Sequence, residues 1–155
     1  MLKSVNRKSF RANRATFAVV ASQYNERYVD AMLRAATAEL KKAGAKSVQV
    51  IRVAGAYEIP VVAARLAREG SVSAIVCLGV ILRGETAHAA HIGEAVSQAL
   101  MQIQLRYEVP VIHEVLLLDN EEQARVRCLG RKHNRGAEAS QTALAMAQVM
   151  EKLQA

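Results

Sequence analysis

The stretch IVCLGVILRGETAHAAH, residues 75–91, decides how the rest of the chain is read. From Ile75 to Leu82 it is apolar and rich in β-branched residues, as a strand buried on both faces must be. Arg83 and Gly84 break the run, and a helical pattern takes over from about Ala87 to Tyr107. The first N–H groups of a helix lack partners inside it, and the helix dipole adds partial positive charge there. Gly84, Glu85 and Thr86 are therefore expected to form a cradle for a phosphate or carboxylate. His88, a residue type suited to carrying protons, follows within about one helical turn. An anion cradle beside a proton carrier suits chemistry on a small phosphorylated molecule.

On either side of this stretch, strand and helix patterns alternate. Thr16 to Ala21 is a short β-rich run, and the polar segment Ser22 to Asn25 ends it. From Glu26 to Ala43 the residues Val29, Met32, Leu33, Ala36 and Leu40 recur at spacings of three and four, and Gly44 supplies a stop. Ser47 to Val53 alternates in the manner of a strand, and Ala54-Gly55-Ala56 breaks it. Pro60 sits near the start of the next helix, which runs to Arg68 before Gly70. Val109 to Leu118 is the fourth strand, entered through Pro110. Helical pattern resumes from Glu121 to about Leu129, pauses from Gly130 to Gly136, and closes with an Ala-rich helix to Leu153. This order predicts an α/β three-layer sandwich: a four-stranded parallel sheet with helices on both faces.

The 155 residues suffice for one domain with its own core. Charge divides the chain. Five of its 21 basic residues, Lys3, Arg7, Lys8, Arg11 and Arg14, stand in the first 14 positions with no acid among them, so positions 15–155 carry only +2 of the net +7. Residues 1–14 are accordingly read as a basic arm and 15–155 as the domain. A body so nearly balanced argues against a broad nucleic-acid groove. Cys77 and Cys128 have no paired spacing, as expected of reduced core thiols in a cytoplasmic protein. The first apolar run, Ala15 to Ala21, is too short for a membrane span or an export signal.

Ligands of parallel α/β sheets sit beyond the carboxyl ends of the strands, which selects Ser22 to Asn25, Ala54 to Glu58, Val80 to His88, and the region after Leu118. Tyr24 either stacks on a planar ring or caps the edge of the core. Glu58, after Tyr57, either reads the N–H donors of a heterocycle or partners the dipole of the helix it opens. His88 and His91 are three apart, but neither an H-E-x-x-H motif nor a nearby carboxylate at ligand spacing supports a metal site, and none is expected. Arg127, Arg131, Lys132, His133 and Arg135 form a cationic cluster, either a solvated face or the counter-charge of the anion cradle. Gly130 and Gly136 frame it like a bent helix junction, and Glu138, just beyond, either orients a histidine or balances the cations.

Five segments, AGAYEIP (54–60), GVILRGETAH (79–88), PVIHEVL (110–116), EQARVR (122–127) and NRGAEA (134–139), together resemble the 6,7-dimethyl-8-ribityllumazine synthase family from about residue 15 onward. That resemblance implies a flavodoxin-like fold. It implies condensation of 5-amino-6-ribitylaminouracil with 3,4-dihydroxy-2-butanone 4-phosphate, the penultimate step of riboflavin synthesis, with release of phosphate and water and no cofactor. It also implies pentamers, in some members assembled further into decamers or icosahedral shells, with sites shared between neighbouring subunits. Carried over by position, Tyr24 would stack on the pyrimidine, Ala56, Tyr57 and Glu58 would hold the ribityl chain, and backbone groups of Val80, Ile81 and Leu82 would read the ring edge. Gly84, Glu85 and Thr86 would bind phosphate beside Arg127 of the adjacent chain. His88 would move protons with support from Glu138, and Arg135 would stand where the family usually has lysine.

The chain departs from the family pattern at Gln23, Ala54, the Ala89-Ala90 pair and Leu129. His113 occupies the ring-binding wall where phenylalanine is usual. A binding or shell-forming relative with little catalysis would keep the same fold and pocket. A flavodoxin-like electron carrier would leave Glu58, His88 and Arg127 unexplained.

Overall fold

The computed structural model describes residues 10–154. Four strands, β1 (Thr16–Ser22), β2 (Ser47–Val53), β3 (Ala74–Leu82) and β4 (Val111–Leu118), form one parallel sheet in the order β2-β1-β3-β4. Helices α1 (Glu26–Lys42), α2 (Ile59–Glu69) and α3 (His88–Tyr107) make the three crossovers, and α5 (Arg135–Gln154) closes the chain after a short α4 (Glu121–Ala124). This is the expected three-layer, flavodoxin-like sandwich.

Strand alternation sorts the core into two halves. Phe17, Val19 and Ala21 of β1, with Val76 and Leu78 of β3, pack against Val29, Met32, Ala36 and Leu40 of α1 and Ala139, Ala143 and Leu144 of α5. Ala18, Val20, Ile75 and Cys77 point the other way, onto Ile59, Ala63, Leu66 of α2 and Val96, Leu100, Ile103 of α3. Both central strands are therefore apolar at nearly every position, the pattern from which the fold was read.

Boundaries shift where local chemistry intervenes. β4 begins at Val111 instead of Val109, because Pro110 has no N–H to give the ladder and offers only its carbonyl, to Ile75 N at 2.9 Å. α2 is preceded by a 3₁₀ turn, Ala56–Glu58, closed by Glu58 Oε2 accepting from Gly55 N at 2.9 Å. The segment expected to be helical to Leu129 is α4 followed by a π-helical turn, Arg125–Leu129.

The pause expected to reach Gly136 ends at Asn134. Its buried side chain accepts from Gly136 N at 2.8 Å and Ala137 N at 3.3 Å and donates to Cys128 O at 2.7 Å, so α5 starts at Arg135. Gly136 is a packing residue inside α5 and not a hinge. A Cβ there would lie 2.0 Å from Met32 O, which is how closely α1 and α5 approach. Ser140 donates to Ala36 O at 3.0 Å across the same seam.

Lys3, Arg7 and Lys8 of the basic arm lie outside the described residues. Its last residues lie against the domain: Ala12 is buried and donates to Ala43 O at 2.8 Å, and Arg11 O accepts from Gln148 Nε2 at 2.8 Å. No described helix is long and apolar enough to cross a membrane.

Candidate active site

From β1 the chain crosses to β2 on one side and returns to β3 on the other. A crevice must therefore open beyond the carboxyl ends of β1 and β3. The β1–β3 pairing stops at Ala21–Leu78, while β3 continues to Leu82, so the last residues of β3 extend past their neighbour. A hollow of about 820 Å³ lies there, within the range of small-molecule sites. Tyr24, Ala56, Tyr57, Glu58, Val80, Ile81, Leu82 and His88 all line it. Eight of the expected site residues, from the loop after β1, the 3₁₀ turn after β2, the end of β3 and the start of α3, thus meet in one place.

The local reasons are specific. Asn25 adopts a left-handed conformation (φ 58°), which asparagine tolerates, and its Nδ2 donates to Val80 O at 2.8 Å. One residue thereby turns the chain into α1 and ties the end of β1 to the overhang of β3. Tyr24 is 72% exposed, so it does not cap the core. Its ring closes over Gly55, where an added Cβ would meet Tyr24 Cδ2 at 3.0 Å and Glu58 Oε2 at 2.9 Å. Glu58 meets both of its expectations, since Oε2 closes the 3₁₀ turn while the side chain lines the hollow.

Gly84, Glu85 and Thr86 are exposed in the loop before α3 and are not its first turn, because α3 begins at His88 with Ala87 as its cap. Thr86 Oγ1 accepts from His88 N at 3.4 Å. A Cβ on Gly84 would meet nothing within 4 Å, so the loop is open to close approach. The nearby cation Arg83 is held by Asp119 at 3.0 Å, and among the described residues the lining of the hollow includes no arginine or lysine. Among the described residues no group of three or more His, Cys, Asp or Glu side chains is placed to hold a metal ion.

The remaining expected residues do not line this hollow. Arg127 lies on the π-helical turn, half-buried, with Nη1 donating to Gln123 O at 3.4 Å. Arg135 Nη1 donates to Glu138 Oε2 at 2.9 Å, so in a single chain Glu138 balances a cation and does not orient His88. Arg131, Lys132 and His133 line a separate hollow of about 480 Å³ with Arg125, not the one at His88. His113 is exposed on β4, an edge strand, with Nε2 2.7 Å from Ser97 Oγ of α3.

Two residues beside these were missed. Glu114, next to His113 on β4, faces the α5 side near Arg135 and Glu138, and burial pushes its carboxyl up to about 7. The signal was present: two adjacent polar residues in an otherwise apolar strand must place one on each face of the sheet. Asn25 was named only as part of a polar break.

A model of the 6,7-dimethyl-8-ribityllumazine synthase family matches residues 14–151, which takes in all four strands and the whole hollow. The chain belongs to the lumazine synthase family. Proteins named 6,7-dimethyl-8-ribityllumazine synthase from Xanthomonas oryzae pv. oryzae and Stenotrophomonas maltophilia are each 39% identical to it over 141 residues, covering 90% of this chain and 92% and 91% of theirs. One from Xanthomonas euvesicatoria pv. vesicatoria is 38% identical over 145 residues, 92% of this chain and 94% of its own. Both clusters, the hollow and the group around Arg127 and Arg135, fall inside the matched span of this lumazine synthase family member.

Proposed function

We propose that this protein condenses 5-amino-6-(D-ribitylamino)uracil with 3,4-dihydroxy-2-butanone 4-phosphate to 6,7-dimethyl-8-ribityllumazine, releasing phosphate and water. The observation that carries the reading is the convergence of Tyr24, Glu58, the β3 overhang and His88 on one hollow in a chain of this family. Tyr24 stacks on the pyrimidine. Ala56, Tyr57 and Glu58 hold the ribityl hydroxyls, and the main chain of Val80, Ile81 and Leu82 reads the ring edge. Asn25 takes the Val80 carbonyl and so keeps the overhang in place.

An amine must add to a ketone, water and phosphate must leave, and a second carbonyl must close the new ring. Protons therefore move at several atoms, and a single imidazole near neutral pH can serve as acid and then as base. His88 is that group. Holding both reactants together supplies much of the remaining acceleration.

A dianionic phosphate needs cations, yet among the described residues the lining of the hollow has no arginine or lysine. The amides of Gly84, Glu85 and Thr86 form one half of the phosphate site, and Arg127 of an adjacent copy forms the other, with His113, Arg135 and Glu138 brought by that same copy. The working unit is then a homo-oligomer, and the family resemblance makes it one built from pentamers. Its unpaired buried thiols, Cys77 and Cys128, fit the reducing cytoplasm.

Purified protein given both substrates should form a fluorescent lumazine with no added cofactor, and a well-folded sample that forms none rejects the reaction. The shared site has its own test. Chains carrying His88→Ala and chains carrying Arg127→Ala, each impaired alone at phosphorylated-substrate concentrations below KM, should regain activity when co-assembled. Failure of that complementation rejects a site built across copies.

A further inference from the structure

The exposed histidine on β4 is held more tightly than its exposure suggests. Val115 N donates to His113 Nδ1 at 3.2 Å, so Nδ1 carries no proton. Ser97 Oγ lies 2.7 Å from His113 Nε2 and has one proton to give, which it donates to Gly93 O at 2.8 Å. Nε2 must then be the donor in its contact with Ser97. Two separate constraints agree on one species, the neutral imidazole with its proton on Nε2, at the head of a chain from His113 through Ser97 to Gly93.

We infer that Ser97 is a positioning residue for pyrimidine binding: it holds His113 as a flat ring with both nitrogens satisfied, leaving only its π surface for the pyrimidine in the neighbouring copy's hollow. This rests on the function proposed above. A free imidazole would offer a donor and an acceptor that compete for the heterocycle's own hydrogen-bonding edge. One tied down at both nitrogens recognises the ring by stacking alone and leaves the edge to the β3 overhang.

The surroundings agree. Facing His113 across the sheet is Cys77 of β3, a neutral thiol because burial pushes it up to about 12. On α3, Glu94 accepts from Gln98 at 3.4 Å. On β4, Glu114 points to the opposite face, toward Arg135 and Glu138. Among the described residues no carboxylate pairs with the imidazole, and partial burial lowers its pKa. Protonation at Nδ1 would set two donors against each other at Val115.

The experiment combines Ser97→Ala, Ser97→Thr, His113→Phe and the His113→Phe/Ser97→Ala double variant in the full chain. Equilibrium binding of 5-amino-6-ribitylaminouracil and the ¹⁵N spectrum of the imidazole are the readouts. The wild-type spectrum should show Nδ1 as the unprotonated nitrogen. Ser97→Ala should weaken binding about fivefold, what one hydrogen bond supplies, with Ser97→Thr restoring it and Ser97→Ala silent when residue 113 is phenylalanine. A spectrum with Nε2 unprotonated overturns the inference, as does a Ser97→Ala loss that is absent or that persists beside phenylalanine. Intact binding behaviour without lumazine formation would reject the proposed reaction and leave this inference standing.

Discussion

Replacing Gly136 by alanine should destabilise the protein although alanine is the better helix former. The added Cβ would sit 2.0 Å from Met32 O, 2.6 Å from Met32 C and 2.7 Å from Met32 Cα, where ordinary contact begins at 3.4 Å. All three atoms are backbone of α1, so no rotamer change relieves the collision, and α5 must lift off α1 by roughly 1 Å along a seam that includes the Ser140 to Ala36 hydrogen bond. Overpacking of this kind costs about 3 kcal/mol, and the helix preference of alanine returns about 1 kcal/mol. The net loss of about 2 kcal/mol corresponds to a melting temperature lower by about 4–8 °C at this chain length. Gly93→Ala in α3 is the control: its Cβ would meet Leu117 Cδ2 at an ordinary 3.5 Å, so only the propensity gain remains and stability should rise by about 0.5–1 kcal/mol. Thermal and urea unfolding of the two variants should therefore move in opposite directions. A Gly136→Ala protein that melts at or above the wild-type temperature would refute the close approach of α1 and α5. Because Arg135 and Glu138 ride on the same first turn of α5, Gly136→Ala should also lower turnover, whereas a lift-off that left the rate unchanged would separate that turn from the site.

Other outcomes follow from the site. His88→Ala should lower turnover by roughly ten- to a thousandfold with the assembly intact, and size-exclusion chromatography alongside the rate assay separates the two effects. Arg127→Ala should raise KM for the phosphorylated substrate by about ten- to a hundredfold while leaving affinity for the pyrimidine nearly unchanged, the loss of a charge-assisted contact to phosphate. For Glu114, the folded-state pKa of about 7 lies above the ordinary 4.5, so its contribution is fully present below pH 4.5 and is lost as pH rises through about 7. Glu114→Gln should match wild type in acid and exceed it by about 2 kcal/mol above pH 7. Parallel urea-denaturation curves across that range would remove Glu114 from the account.

The architecture was legible because it rests on periodicity. Alternating apolar runs and spacings of three and four locate four strands and the main helices whatever the neighbours do, and the rule that ligands gather at strand carboxyl ends then selects Tyr24, Glu58 and His88. Boundaries were legible only approximately, since Pro110, Asn134 and the π-helical turn act through local hydrogen bonding that leaves no periodic trace.

Sequence alone therefore determined the order of elements, the two-faced core and the loops that meet in the hollow, all of which follow from chain-local patterns of polarity. Only the tertiary structure decided that Gly136 is a contact and not a hinge, that His113 is bonded to Ser97 of α3, and that Arg127 does not line the hollow at His88 within one chain. Each of those depends on distances between residues far apart in sequence or across a helix seam. Such distances are set by packing, which composition and spacing do not encode.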